Sequence, residues 1–293
     1  MRTHDLLTIG ELAARAGVSV RAVRFYSDQG LLPEADRSSG GHRRYAPQAL
    51  ERLRLIRSLR GLGVPLPEVA AALEEEQRLG QVVERQLDAV AGELRALRWR
   101  EAALQLLHTG PPGERAELLR LVGALGSPPS TDSLARYWRR VLPTRLPARL
   151  AAAVVDAAVP PVPEAPAPGQ VLAFARLHQL TGSASDACLA EHRPVVPRPE
   201  LLYEGLREAY ELAAPALTAG RAPEAGEALD CFVAAHARAQ DRRDTPAFRR
   251  ELRHTLAGGE HPVMRRYWSL AGELSPVPTL GAANGWLSSA LNA

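Results

Sequence analysis

Residues 8–26, TIGELAARAGVSVRAVRFY, hold two short helical patterns with a tight turn between them. Thr8 followed by Glu11 is the pattern of a capping box, which predicts that the first helix begins here. Gly17 is suited to end that helix, and Ser19 to cap the second one. The second pattern carries arginines and a tyrosine beside its apolar face. Two helices joined by a short glycine-containing turn are typical of a helix-turn-helix, whose second helix enters the major groove of DNA.

The residues that follow predict a small wing and a third helix. The polar, glycine-containing segment 36–41 is expected to turn the chain, so that 42–45 forms the return strand of the wing. A further helix is predicted to open at residues 46–47. Its apolar positions fall at helical spacing and should form its buried face: Leu50, Leu53, Ile56 and Leu59. We therefore expect residues 1–76 to be a winged helix-turn-helix DNA-binding domain.

This ordered series of motifs resembles the N-terminal domain of the MerR family of transcription regulators. The shared pattern is IGELA..AGVS.RAVRFY...GLL, then G.RRY....L..L..I..LR.LG.PL.EV, within residues 7–73. Two positions depart from the family. Phe25 stands where a tyrosine is usual, and Ala46 where a serine or aspartate usually caps the next helix. The resemblance implies a bacterial regulator that binds double-stranded promoter DNA, where RNA polymerase is its partner.

Candidate DNA contacts lie on the second helix, on the wing and near the end of the third helix. On the second helix, groove-edge and phosphate contacts are expected from Ser19, Arg21, Arg24, Phe25 and Tyr26. On the wing, flanking phosphates are expected to be gripped by Arg43, Arg44 and Tyr45. The resemblance adds Arg60, whose position touches the DNA backbone in the family. Family members also bend and untwist the promoter, which is regulation by indirect readout.

Charge is unevenly distributed along the chain. The 36 basic residues counted as lysine or arginine are all arginine, against 33 acids. Residues 1–60 hold eleven arginines and six acids, a balance of +5, whereas residues 61–110 hold five arginines and eight acids, a balance of −3. This distribution favours phosphate contact confined to the N-terminal domain. The alternative is that these arginines only solvate a surface.

An apolar seam follows in residues 77–109. Its members are separated by alternating steps of four and three before the register is interrupted at Glu101: Val83, Leu87, Val90, Leu94, Leu97 and Leu104. This spacing is typical of a dimeric coiled coil, and the alternative is a core helix of a monomeric bundle. In the resembled family such a helix pairs antiparallel across a two-fold axis. The resemblance thus implies a homodimer on a palindromic promoter.

Residues 110–293 are predicted to form an all-helical C-terminal domain, which makes the fold class mainly α. The proline-rich segment 159–169, VPPVPEAPAPG, predicts an extended linker that divides the region into two parts able to close on a ligand. Two similar segments, ARYW and RRYW, contribute the candidate effector-binding residues Tyr137, Trp138, Tyr267 and Trp268. Aromatic side chains near arginines suit a planar organic ligand, but they are also ordinary core residues.

Two interpretations of this C-terminal region stay open. Drug-sensing members of the resembled family use C-terminal regions as effector pockets, and some of these regions are all-helical. That resemblance implies control by a small organic effector, drug-like or metabolite. The other interpretation is a protein-interaction or oligomerisation module that binds no small molecule.

Other classes of function find little support in the sequence. It lacks the G-x-S-x-G, H-E-x-x-H and G-x-G-x-x-G motifs and has no lysine for a P-loop, so we expect no enzyme, catalytic residue or cofactor. Metal-sensing family members carry cysteines near the dimerisation helix, whereas the two cysteines here are Cys188 and Cys231, so no metal site is expected. Without a signal-peptide pattern or a run of about 20 apolar residues, a cytoplasmic protein with no membrane contact is predicted.

Overall fold

The computed structural model describes residues 6–74, 76–126, 128–183, 196–257 and 261–293. It is mainly α-helical, which confirms the predicted fold class. The chain forms two compact units, Met1–Leu94 and Arg95–Ala293. No helix among the described residues is long and apolar enough to cross a lipid bilayer.

The first unit is a winged helix-turn-helix. Its strands form one antiparallel sheet of order β1-β3-β2: β1 Leu7–Thr8, β2 Asp36–Arg37 and β3 Arg43–Tyr45. Its short helices are α1 Ile9–Ala16, α2 Val20–Asp28, α3 Gln48–Gly61 and α4 Leu66–Ala72. The central strand β3 aligns Tyr45 with Leu7 and Arg43 with Arg37. The predicted wing is therefore present.

The ends of α1 and α2 follow the capping signals of the sequence. Thr8 Oγ1 accepts a hydrogen bond from the Glu11 backbone N–H at 3.1 Å, and the Glu11 carboxylate accepts one from the Thr8 N–H at 2.8 Å. The backbone and hydroxyl donors of Thr8 lower the pKa of Glu11. Gly17 ends α1 in the left-handed conformation at φ 66°, and Ser19 Oγ accepts from the Ala22 N–H at 3.1 Å. The predicted capping box, stop and cap are confirmed.

A single long helix, α5, runs over Glu76–Thr109 and contains 34 residues. The sequence predicts a dimerisation coiled-coil helix over 77–109, and the boundary between the two compact units falls after Leu94, within this helix. The physical reason is that Trp99, Ala102 and Leu106 are buried in the core of the second unit. The last four turns of α5 are therefore part of that unit.

The regular secondary structure in the described part of the second unit consists of helices. After α5, its helices are α6 Arg115–Gly123, α7 Asp132–Val141, α8 Ala148–Ala158, α9 Pro168–Ser183, α10 Pro199–Thr218, α11 Glu227–Ala239, α12 Pro246–Ala257, α13 Pro262–Leu274 and α14 Leu280–Asn292. One core joins α5, α7, α8, α9 and α13, and a second joins α10, α11, α12 and α14. At Gly205 a Cβ would lie 2.5 Å from that of Ala235, so this glycine lets α10 approach α11 closely.

Residues 159–167 of the proline-rich segment are non-helical, as predicted, whereas Pro168 and Gly169 belong to α9. The segment does not separate two parts. Val155 before it and Phe174 after it lie in the same core. The Trp99 indole N–H donates to the carbonyl of Pro163 at 2.9 Å, which fixes the segment against that core. The prediction that two parts close about this linker is therefore wrong, because shared apolar burial joins the helices on either side.

Tyr267 tests how strongly this core depends on one polar contact. Its side chain is fully buried, and its hydroxyl donates to the Ala158 carbonyl at 2.9 Å, at the end of α8. We expect Tyr267→Phe to lower the free energy of unfolding by about 1–3 kcal/mol, because the buried carbonyl loses its partner. Chemical denaturation followed by circular dichroism measures this loss. Tyr26→Phe, in the first unit, is the control, and an unchanged transition for Tyr267→Phe would contradict the assignment.

Candidate nucleic-acid interface and ligand cavity

Helix α2 presents an exposed basic and aromatic face. Val23 is the one buried residue of the helix, whereas Arg21, Arg24 and Phe25 are exposed. The Phe25 ring contacts the edge of Tyr26, with 5.5 Å between ring centroids, and Tyr26 is partly buried against the core. The predicted contact residues of α2 thus share one accessible surface, and the exposed Ser19 lies at its N-terminal end. This arrangement suits a helix that lies in a groove.

A clamp joins the wing to the end of α2. Arg43 Nη1 lies 2.6 Å from Asp28 Oδ1, and Arg43 Nε lies 2.7 Å from Glu34 Oε1. The hydrogen bond to Asp28, followed by the charges of Asp28 and Glu34, raises the pKa of Arg43. We call Asp28, Glu34 and Arg43 the wing clamp. Because two carboxylates hold this guanidinium, the three side chains connect the wing to the end of α2.

The remaining wing residues divide between the surface and the core. Tyr45 is fully buried, so the prediction that it grips a phosphate is wrong. Its side chain packs in the core of the first unit, on the face of β3 opposite Arg44. Arg44 is partly exposed and His42 is exposed at the turn of the wing. Arg37, whose side chain is 62% exposed and lies 3.1 Å from Glu34, is a further accessible polar group next to the clamp.

Arginines of α3 bind backbone carbonyls of the same unit. Arg60 NH1 donates to the Val64 carbonyl at 2.7 Å, and Arg57 NH1 donates to the Ala16 carbonyl at 2.9 Å. Arg52 Nε donates to the Leu31 carbonyl at 2.6 Å. Such bonds satisfy acceptors that helix ends and turns leave unpaired. Arg60 keeps an exposed side chain, so its predicted contact with the DNA backbone remains compatible with this role.

The two tyrosine–tryptophan pairs meet in one aromatic cluster of the second unit. Tyr137 and Tyr267 stack at 5.8 Å between centroids with 11° between their planes. The rings of Trp138 and Trp268 are 5.1 Å apart. Tyr137 and Tyr267 are buried core residues and do not line the adjacent cavity, which corrects their prediction as effector-binding residues. Trp138 and Trp268 do line it.

The cavity has a volume of about 400 Å³ and lies between α7, α8, α10, α13 and the first turns of α14. Besides the two tryptophans, its aromatic lining residues are Tyr203 and Tyr210, and burial raises the pKa of Tyr203 to about 12. Aliphatic walls come from Leu150, Val154, Leu206, Leu217 and Leu280. This volume and this lining are typical of sites for small organic molecules. Tyr203 and Tyr210 were not predicted, because they lie far from both tryptophans in sequence.

Trp268 is fixed on the backbone of α14. A Cβ added at Gly281 would lie 2.0 Å from Trp268 Cγ, so the indole occupies the space that any other residue would need. Nearby, the Tyr210 hydroxyl donates to Asn284 Oδ1 at 3.1 Å. Arg207 and Glu211, one turn apart on α10, form an ion pair at 2.9 Å. The cavity therefore combines a rigid aromatic wall with few polar groups.

Other titratable groups of the second unit are poor candidates for catalytic or metal-binding residues. His178 Nδ1 lies 3.0 Å from Ser133 Oγ, and burial lowers its pKa. Burial also lowers the pKa of His236 to about 4 and raises that of the Cys231 thiol. In the described part of the chain, no group of three or more histidine, cysteine or acidic side chains could hold a metal ion. Cys188 lies outside the described residues.

Comparison with known proteins places the first unit among transcription regulators. Residues 7–76 match the sequence profile of the MerR HTH family regulatory proteins. The HTH-type transcriptional activator TipA of Streptomyces coelicolor is 48% identical over 68 residues, which are 23% of this chain and 27% of that protein. The mercuric resistance operon regulatory protein of Pseudomonas fluorescens is 37% identical over 106 residues, which are 34% of this chain and 74% of that protein.

One solved structure is covered almost completely by its match to this chain. The transcription regulator PbrR691 from Ralstonia metallidurans, crystallised with lead, shows 32% identity and a TM-score of 0.33, over 39% of this chain and 98% of that chain. The match to TipA, by contrast, spans only 27% of the length of that protein.

Substitution of Asp28 tests whether Arg43 positions the wing or binds a DNA phosphate. If Arg43 acts by positioning the wing, Asp28→Asn should weaken DNA affinity by about twofold to fivefold, as loss of a partly exposed ion pair does. If Arg43 acts by binding phosphate, removing a negative charge beside it should instead strengthen binding. Fluorescence anisotropy at fixed salt measures the affinity. Asp88→Asn, an exposed position of α5 in the same unit, is the matched control.

Proposed function

Because the chain belongs to the MerR family, we propose that it is a transcription regulator that binds a palindromic promoter as a homodimer and is controlled by a small organic effector. The observation that carries this proposal is the exposed face of α2. This helix buries Val23 alone, while Arg21 and Arg24 point away from the core. A helix capped at its N-terminus and clamped to a wing near its C-terminus fits the major groove.

The apolar seam of α5 supports the homodimer. Each of its six residues is between 40% and 64% exposed: Val83, Leu87, Val90, Leu94, Leu97 and Leu104. Their exposure argues against the alternative of a core helix within one chain. Exposed apolar side chains of this kind usually mark an interface, and their coiled-coil spacing in the sequence fits a second copy of the same helix. Two-fold pairing would present two α2 helices to a palindrome, and RNA polymerase would be engaged at that promoter.

The aromatic cavity supports control by an effector. It lies within the second unit, has the volume of a small-molecule site and is lined by Trp138 and Trp268. A ligand bound there shifts the regulator between states only if it binds one state more tightly than the other.

Arg24 is the residue whose loss should test the DNA interface most directly. We expect Arg24→Ala to weaken binding to a selected operator by about 1–3 kcal/mol, because a charged groove contact is removed. Anisotropy titrations against operator and unrelated duplexes measure the affinity and the specificity. Arg120→Ala, which removes the same charge from the exposed surface of α6, should leave both unchanged. Equal affinity of Arg24→Ala and the unsubstituted protein would refute the docking of α2.

The dimer is tested by charge in the seam. Leu87→Glu combined with Leu94→Glu would bring four like charges together in a paired helix. We expect sedimentation of this variant to show a monomer, and footprints on the promoter to lose their two-fold pattern. Gln81→Glu combined with Ala89→Glu adds the same charges at exposed positions outside the seam and should stay dimeric. A dimeric seam variant would place the interface elsewhere.

A further inference from the structure

The cavity of the second unit has no net charge in its lining. Arg207 and Glu211 are the charged side chains among its lining residues, and they form an ion pair at 2.9 Å. Each is more than half exposed, with values of 62% and 65%, so the pair is hydrated beside the apolar walls. A ligand that enters the cavity therefore meets a carboxylate and a guanidinium that already neutralise each other.

The remaining polar groups of the cavity are neutral. The Tyr210 hydroxyl and the Asn284 carboxamide are joined by a hydrogen bond of 3.1 Å, and the Thr279 hydroxyl accepts from the Ala282 N–H at 3.2 Å. Such groups can orient a ligand through hydrogen bonds but cannot replace the hydration of an ion. The polar lining thus favours a ligand with neutral donors or acceptors.

Two indoles form the aromatic wall of the cavity. Trp138 and Trp268 are 5.1 Å apart with 39° between their planes, and Gly281 leaves no space for the Trp268 ring to move towards α14. Rigid rings suit stacking of a planar ligand, since little side-chain freedom is lost on binding. Aromatic faces also attract cations. Here Glu211 is already paired, and Arg207 beside it repels a cation.

We propose that this cavity selects uncharged aromatic molecules over aromatic anions and cations. An ion would leave water without gaining a free counter-charge, whereas a neutral ring system loses only apolar hydration and gains stacking. The inference rests on the proposed role of the second unit as an effector domain. It adds the chemical class of the ligand and identifies the ion pair of α10 as the determinant of that class.

Three probes test the selectivity of the 293-residue chain by calorimetry. N-phenylnaphthylamine is uncharged, anilinonaphthalene sulfonate is a closely related ring system with a negative charge, and tetraphenylphosphonium is an aromatic cation. We expect N-phenylnaphthylamine to bind on the order of tenfold more tightly than either ion. Equal or tighter binding of an ion, or no binding of the neutral probe up to its solubility limit, would overturn the proposal.

Matched variants of α8 locate the probe. Ala157 and Ala152 are both exposed on this helix, but Ala157 lines the cavity and Ala152 does not. Ala157→Trp should fill the cavity and abolish binding of the neutral probe, while Ala152→Trp should leave it intact. Undiminished binding to Ala157→Trp would show that the probe lies elsewhere and would refute the assignment.

Charge variants of α10 test whether the ion pair of Arg207 and Glu211 determines the selectivity of the cavity. Glu211→Gln leaves Arg207 unpaired and should strengthen binding of anilinonaphthalene sulfonate on the order of tenfold, while Arg207→Gln should do the same for tetraphenylphosphonium. Glu208→Gln changes the same charge at an exposed position of α10 outside the lining and should alter neither. Unchanged selectivity in both lining variants would refute the role of the ion pair.

Operator affinity measured with and without N-phenylnaphthylamine separates this inference from the proposed function. Selective binding of the probe with no effect on operator affinity would refute control by a ligand in this cavity and leave the selectivity standing. An effect of the probe on operator affinity that persists in Ala157→Trp would refute the cavity and leave effector control standing.

Discussion

Helix α2 buries a single side chain, Val23, and the N-terminal unit is organised around holding such a helix in place. A helix that keeps its other faces free for a ligand is oriented only weakly by packing against the core. Contacts at its two ends therefore have to fix its orientation. At the start, Ser19 and the left-handed Gly17 set the direction of entry. At the other end, Asp28 receives Arg43 from the wing. The wing itself is held by the sheet and α3, because Tyr45 of β3 packs in the same core as the buried residues of α3.

In the second unit one aromatic cluster serves two purposes. Tyr137 and Tyr267 stack within the core, while Trp138 and Trp268, their neighbours in sequence, form the wall of the cavity. The rigidity of the wall therefore comes from the same contacts that stabilise the fold. Preorganised aromatic surfaces of this kind bind flat ligands at low entropic cost. Trp138 belongs to the same core and also lines the cavity, whereas Trp268 is partly buried against that core and lines the cavity as well.

Local signals were readable in the sequence, and contacts between distant segments were not. The capping box, the stop at Gly17 and the seam of α5 depend on spacings of three or four residues, which periodicity shows directly. Helix α4 has seven residues, too few for a clear period. Alternation along β3 could have placed Tyr45 inward, opposite Arg44, but the basic motif around it favoured a surface role. The contact of Trp99 with Pro163 and the pairing of Arg43 with Asp28 join residues whose proximity only the folded chain creates.

The contact between Gly281 and Trp268 couples the substitutions that these two positions can accept during evolution. A side chain at 281 closes the space that the indole fills, and a smaller residue at 268 leaves a void against the bare backbone of α14. A substitution at either position alone therefore disrupts the packing of the cavity wall. Descendants of this chain that come to recognise a ligand of another shape therefore have to exchange both residues together, and wherever the tryptophan persists the glycine should persist with it.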